Sequence, residues 1–391
     1  MARYSHIAVV VPLLDELENI VSLVSMLRRQ TSTSFTLYVC VNQPEPWWQL
    51  PESDWRRQAC EHNRDTLALL SDVDDIALVV TDRSTQGHGW KGKHQGVGWA
   101  RKTLMDCVAE HCGDDELVVS LDADTRVGDD YLQAVLTLFN AERDASAMAA
   151  PYYHRLSGNM SVDRMLLRYE CYMRNYLVRL LRIGSPYAFT ALGSAMAFPV
   201  WAYRRVGGIT PLPAGEDFYL LQKFVKTGSV LLDGVPTVFP EGRLSRRVPF
   251  GTGPALSLTM DEMERRYPML GPEAFDAVKR TFDAFPELYD RDIDTPMSEF
   301  LRRQLKTDEL WGPLRKNYKQ RDLFVRACRE RVDGLRIQQF VKTYAEGGAF
   351  VDVDFRSDSL QVLDDYRNQL FSEEMMLRKQ HHRVGCAVPM P

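Results

Sequence analysis

Two aspartates one residue apart, Asp122-Ala123-Asp124, stand directly after the apolar run LVVSL (117–121). Neighbouring carboxylates at a strand end repel one another. A divalent cation carrying a diphosphate relieves that repulsion, because hard cations take carboxylate and phosphate oxygens. The plainer reading is an acidic loop that caps the helix starting near Gly128. A second acidic pair, Glu216-Asp217, follows a Gly/Pro turn and opens the helix DFYLLQKFV. The helix dipole alone favours acids there, by about 0.3–1 kcal/mol. The functional alternative is a general base that takes a proton from an incoming hydroxyl. Two Gly-containing stretches offer cations to phosphates: GHGWKG (87–92), with Lys91 and Lys93 in or beside it, and Arg243-Leu-Ser-Arg-Arg247 followed by GTG (251–253). GHGWKG matches a dinucleotide fingerprint literally. It does not sit at the first strand's turn, however, so a flexible basic loop facing phosphates fits it better.

Other chemistries find little support. Cys107, His111 and Cys112 have helical spacing but no fourth metal ligand nearby, which favours buried thiols. No serine occupies a G-x-S-x-G elbow. The 391 residues carry 48 Lys plus Arg against 53 Asp plus Glu, a net charge of −5, which argues against nucleic-acid binding through bulk charge. Seven scattered cysteines argue against a disulfide framework. The N-terminus shows no cleavage site of a signal peptide. Between Arg182 and Arg204 lies an uncharged segment long enough to span a bilayer, but Pro186 and Pro199 break it into a loop followed by a buried strand. A soluble cytoplasmic protein is expected.

The elements that must position these residues are legible in the hydropathy. Apolar runs IAVVV (7–11), TLYVCV (36–41), IALVVT (76–81) and LVVSL alternate with amphipathic stretches near 16–29, 55–70, 94–112 and 129–142. That alternation predicts a parallel sheet covered on both faces. Ligands then sit at the carboxyl ends of the strands, at Pro12–Glu16 (which includes Leu13), Asn42, Asp82 and Asp122–Asp124. A helix is expected over 161–182, carrying five arginines and read as amphipathic and packed beneath the following strand. Around 248–254, VPFGTGP reads as a mobile loop. Residues 257–345 are patterned as charged helices, followed by a short VDVDF (351–355) and a last helix at 358–380.

Taken in order, these pieces resemble a family 2 glycosyltransferase of the GT-A fold. VVVPLLDELENI matches the family's opening block, with Asp15 in its Asn position and Glu16 kept. GKHQGVGWA (92–100) matches the third block, with Lys93 kept and Gly98 where Asn is usual. Asp122-Ala123-Asp124 matches the D-x-D. ALGSAMAFPVWAYRRVGGITPLPAGEDFYLL matches the acceptor block. The second strand departs from the family: Asn42 stands where an aspartate usually meets the nucleotide base.

The resemblance implies an α/β GT-A catalytic domain over 1–255 (nucleotide half 1–127, acceptor half 128–255) and a mostly helical region over 256–391. It implies an inverting hexosyltransferase that moves one sugar from a nucleotide-diphosphate sugar. Asp124 and Asp122 would hold Mg²⁺ or Mn²⁺. Pro12, Leu13, Glu16, Asn42, Asp82, Lys93, Asp122, Ala123, Arg246 and Arg247 would meet the donor, and Gly193, Ser194 and Glu216 the acceptor. Asp217 would be the base, with Glu216 orienting it. The acceptor would be a carbohydrate, a lipid-linked compound or a small molecule. No nucleic acid and no membrane span are expected, and contact with the inner face of the membrane is left open. The competing readings are a GT-A-like nucleotidyltransferase, a haloacid-dehalogenase-type phosphatase and a non-catalytic sugar-nucleotide binder.

Overall fold

The computed structural model describes residues 2–245, 247, 251–345 and 359–388. Arg246, residues 248–250 of the expected mobile loop and the expected VDVDF segment lie outside the described residues. Eight strands form one sheet in the order β3-β2-β1-β4-β6-β5-β7-β8. They are β1 (Ile7–Leu13), β2 (Phe35–Asn42), β3 (Ala77–Arg83), β4 (Leu117–Ser120), β5 (Ala147–Ala149), β6 (Met196–Pro199), β7 (Val230–Leu231) and β8 (Arg383–Val384). The first four strands of that order run parallel, while β6 is antiparallel to both β4 and β5. This is the α/β architecture expected from the sequence. The apolar runs correspond to β1–β4, and the intervening helices are Leu17–Arg28, Trp55–Ser71 and Val97–His111.

Alternation along β1 explains why its sequence is apolar throughout. Ala8 and Val10 join one core, and Ile7, Val9, Val11 and Leu13 join another on the opposite face. A strand buried on both sides has no polar face to show. The uncharged segment before Arg204 is, as expected, a loop leading into the buried β6, and no helix among the described residues is long and apolar enough to cross a membrane. Cys107 and Cys112 are only half-buried, contrary to the expectation of buried thiols, and Cys112 Sγ lies 3.6 Å from the Tyr38 hydroxyl.

The helix expected over 161–182 spans Met160–Arg182, with Asn159 Oδ1 accepting from the backbone N–H groups of Ser161 and Val162. It is packed more deeply than amphipathic spacing implies, and chiefly against the helix Leu360–His381 rather than beneath the following strand. Arg168 and Arg174 are buried within it. Arg168 donates to the Tyr267 carbonyl at 2.8 Å, and for Arg174 the counter-charge comes from 200 residues away, on the helix Leu360–His381 that lies along it. Arg174 pairs with Glu374 and donates to Glu170 Oε1 and the Tyr152 carbonyl, both at 2.6 Å. Arg378 Nε donates to Glu374 Oε1 at 2.7 Å, and its Nη1 donates to the Ala149 carbonyl at 2.8 Å. Burial by itself would raise the Glu170 carboxyl. Its contact with His154 and the charges of Arg174 and Arg367 instead bring it down to about 2. The last residues then return to the sheet, where β8 pairs antiparallel with β7.

Removing one partner from a buried ion cluster strands the others without compensation, at about 3–5 kcal/mol. Glu374→Ala should therefore lower the urea-unfolding free energy by that amount. Arg182→Ala, which breaks the more exposed Arg182–Glu373 pair, should change it by less than about 1 kcal/mol.

Candidate active site

The carboxyl ends of β1, β2 and β4 open onto a cleft of about 700 Å³. Where β1 ends, Pro12 and Leu14 line it, whereas Leu13 packs in the core. The expected donor contact at Leu13 is thus corrected by strand alternation: its side chain points to the other face. Glu16 is buried at the cleft wall, where it pairs with Arg243 and accepts from Arg247 Nη1 at 2.6 Å. Arg247 Nη1 also donates to the Leu14 carbonyl at 2.5 Å, so the basic stretch closes over the end of β1.

At the end of β2, Asn42 also lines the cleft, but its side chain is committed to the scaffold. Its amide donates to the Leu13 carbonyl at 2.9 Å, and its Oδ1 accepts from Trp90 Nε1 at 3.1 Å. Asp82, expected at the donor, lies away from the lining. Its Oδ1 accepts from the backbone N–H groups of Ser84 and Thr85 at 2.8 and 2.9 Å. Against the effect of burial, these bonds hold its carboxyl down to about 2, as a turn-forming acid. GHGWKG is likewise tied down: the Glu45 carboxylate accepts from the N–H groups of Gly87 and Gly89, both at 2.8 Å. Those amides are therefore not open to a phosphate, which corrects the flexible phosphate-facing loop. Lys93 is exposed in the segment that follows and does not line the cleft; Gly96 and Val97 do.

Past β4, Asp122 and Asp124 both line the cleft, while Ala123 between them packs in the core. The Ala123 side chain, expected at the donor, is thus turned away from the cleft. Arg243 Nε lies 2.9 Å from Asp124 Oδ2. Burial nevertheless raises the Asp124 carboxyl to about 7, opposed by Arg243 and reinforced by the charges of Asp122 and Glu16. On the other side, Arg101 is buried with Nη2 2.5 Å from Asp122 Oδ1 and Nη1 paired with Glu216. Burial works against the Arg101 charge, and the carboxylates of Asp122, Glu216 and Asp217 more than offset it.

Gly193 leaves the room that this guanidinium occupies, since a Cβ there would stand 2.1 Å from Arg101 Nη2. Gly193 lines the cleft, while the neighbouring Ser194, also expected at the acceptor, is buried and outside the lining.

The acidic pair opens the helix Glu216–Thr227 after Gly215, whose φ of 79° is the left-handed conformation that glycine adopts without strain. Glu216 is buried on Arg101, and Asp217 faces the cleft. Burial and the Glu216 charge raise the Asp217 carboxyl to about 6, opposed by Arg101 and by a 2.7 Å bond from the Phe218 N–H. A carboxylate that titrates near neutrality and opens onto a cleft suits proton transfer.

Asp122 and Asp124 offer hard oxygen donors to a divalent cation, and no group of three or more His, Cys, Asp or Glu that could hold one occurs among the described residues. Two carboxylates fit a metal that arrives with phosphate oxygens and keeps its waters, as Mg²⁺ does. They do not make a closed structural site. Sequence reasoning missed Arg101. Its signal was present: in the helix Val97–His111, Arg101 shares the buried stripe of Leu104, Met105 and Val108, a spacing at which a charge needs a partner.

No family model matches the chain, and no curated protein matches it. Solved structures do. S. aureus TarS 1–349 in complex with UDP-GlcNAc is 14% identical with a TM-score of 0.41, over 96% of this chain and 91% of that one. The mannosyltransferase PcManGT from Pyrobaculum calidifontis, in complex with GDP-Man and Mn²⁺, is 14% identical with a TM-score of 0.36, over 96% and 86%. Glucosyl-3-phosphoglycerate synthase from Mycobacterium tuberculosis, with Mn²⁺, UDP and glucosyl-3-phosphoglycerate, is 16% identical with a TM-score of 0.35, over 70% and 80%.

Because the Gly193 Cβ position is filled by Arg101, Gly193→Ala is expected to displace the guanidinium and cost about 1–3 kcal/mol, the range for overpacking. Urea unfolding measures that loss. A variant as stable as the parent would show that the guanidinium has room to shift.

Proposed function

We propose that the chain is a metal-dependent glycosyltransferase that moves one sugar from a nucleotide-diphosphate sugar to an acceptor hydroxyl with inversion. One observation carries this reading. Arg101 bridges Asp122 and Glu216, so a metal-competent acidic loop and a base-bearing turn face one cleft, a guanidinium's width apart. The family resemblance of the four sequence blocks supports it.

Asp124 and Asp122 would hold Mg²⁺ or Mn²⁺, which neutralises charge on the donor diphosphate when bound. Arg243 and Arg247 add positive charge toward the leaving nucleoside diphosphate, whereas Lys93, exposed and outside the lining, is not part of this set. Pro12, Leu14 and Asn42 wall the nucleotide side. Asp217 takes the acceptor hydroxyl's proton as that oxygen bonds to the anomeric carbon. The bond from that carbon to the diphosphate breaks on the opposite face, and the configuration inverts. Glu216, fixed by Arg101, keeps Asp217 in a negative surrounding and so holds its carboxyl high. The seven cysteines are all unpaired, which supports work in a reducing, cytoplasmic setting.

A thermal-shift panel of UDP-, GDP- and dTDP-sugars with and without Mn²⁺ tests the reading. One nucleotide sugar should raise Tm in the presence of metal, by mass action. Incubation with that donor and an acceptor should release a nucleoside diphosphate; release of pyrophosphate from a nucleoside triphosphate would favour a nucleotidyltransferase instead. None of the sugars shifting Tm would remove the reading.

The base has its own signature. Asp217 is competent when deprotonated, so kcat/KM should rise with pH through about 6 and level off above it. Asp217→Asn should lose at least about 100-fold in kcat, the lower range for a general base, while nucleotide binding is largely kept. The raised carboxyl also means that the charged form opposes folding above its folded pKa. Asp217→Asn should therefore unfold at a higher temperature than the parent at pH 8, and the difference should shrink as pH falls below about 6.

A further inference from the structure

Beside the acidic loop and the base, another wall of the cleft is of a different chemistry. Tyr169, Tyr172 and Tyr176 stand on successive turns of the helix Met160–Arg182 and line it together with Tyr267, Phe189 and Phe218. The rings pack on one another: Tyr267 meets Tyr169 edge-on with centroids 4.9 Å apart and Tyr172 at 5.2 Å, and Phe189 meets Phe218 at 6.0 Å. Such mutual packing leaves rigid faces that need no ordering when a ligand arrives.

The four tyrosines keep their hydroxyls available. None of these hydroxyls has a hydrogen-bond partner among the described residues, and none is sealed in as the hydroxyls of Tyr131 and Tyr152 are. This wall adjoins the base, since the Asp217 charge contributes to the raised pKa of the Tyr169 phenol, after burial and the neighbouring tyrosines. Flat apolar faces edged with free hydroxyls match a molecule with the same alternation, a sugar ring with C–H faces and hydroxyl edges.

A cation also lines the cleft. Gln338 and Lys342 lie one turn apart on the helix Gly334–Ala345, and both line the cleft. Lys342 is exposed and has no carboxylate partner among the described residues, unlike Arg101, Arg243 and Arg247, each of which is paired.

We propose that the acceptor is a carbohydrate bearing an anionic substituent, its ring packed on the Tyr169–Tyr172–Tyr176 wall and its phosphate or carboxylate reaching Lys342. This rests on the transferase reading above and narrows its acceptor from carbohydrate, lipid-linked or small molecule to one class. A ring on the tyrosines presents a hydroxyl to Asp217. The ammonium favours acceptors that carry negative charge, as a point charge that tolerates either phosphate or carboxylate.

The full-length protein with Mn²⁺ and the nucleotide sugar that raises its Tm provides the assay, read as nucleoside diphosphate release. Glucose 1-phosphate, glucuronate, methyl glucoside, glycerate and a long-chain alcohol are compared as acceptors. The charged sugars are expected to give the highest kcat/KM, with glucose 1-phosphate against glucuronate separating phosphate from carboxylate. Lys342→Gln should raise the KM for the better charged sugar about tenfold more than it raises that for methyl glucoside. Tyr172→Phe combined with Tyr176→Phe, which keeps the rings and the fold, should raise the KM of every sugar while the Tm shift given by the nucleotide sugar stays. Glycerate or the alcohol outperforming the sugars, or Lys342→Gln acting equally on charged and neutral sugars, would overturn the proposal and leave the transferase reading standing. Absence of any nucleotide-sugar shift would overturn both.

Discussion

The buried guanidinium of Arg101 is the constraint around which the cleft is organised. Glu16, Asp122, Asp124, Glu216 and Asp217 all line one cavity, an arrangement that like-charge repulsion opposes. Arg101 offsets it from within by pairing with Asp122 on one side and Glu216 on the other. The fold makes room for it by having no side chain at Gly193. Arg243 does the corresponding work at Glu16 and Asp124. Burial first, and then the charge of the neighbouring acids that the guanidinia leave uncompensated, raise the Asp124 carboxyl to about 7 and the Asp217 carboxyl to about 6, which suits the one to a cation and the other to a proton.

The scaffold explains how residues so far apart in the chain come to share that guanidinium. Parallel strands β1, β2 and β4 all end on the same edge of the sheet, and β6, antiparallel to β4, delivers the segment that carries Gly193 to the same place. A second ion cluster holds the other wall. Arg174 and Glu374 fasten the helix Leu360–His381 to the helix Met160–Arg182, whose tyrosines form the aromatic face of the cleft. The charged C-terminal helices therefore take part in the cleft, since Leu335, Gln338 and Lys342 line it.

Much of this was legible in the residues. Continuous apolar runs and 3.6-residue hydropathy located β1–β4 and their helices; β1, β2 and β4 are apolar because they are buried on both faces, while β3 lies at the sheet edge and is only partly covered. The acids at Asp122, Asp124, Glu216 and Asp217 could be marked because ligands of such a sheet sit at the carboxyl ends of its strands, although capping and the helix dipole also favour acids at these positions. Local backbone geometry overruled several finer expectations. Leu13 and Ala123 stand in the right segments and face the wrong way, Asp82 closes its own turn, and the glycines of GHGWKG give their amides to Glu45.

The sequence by itself determined the element types, their order and the acids that crowd the site, since these follow from short-range periodicity and from charge. Only the tertiary structure decided which cations neutralise which acids. Arg101 meets Glu216 across 115 residues, Arg243 meets Glu16 across 227, and Arg174 meets Glu374 across 200. Electrostatic pairing depends on distance in space, and nothing local in the chain records it.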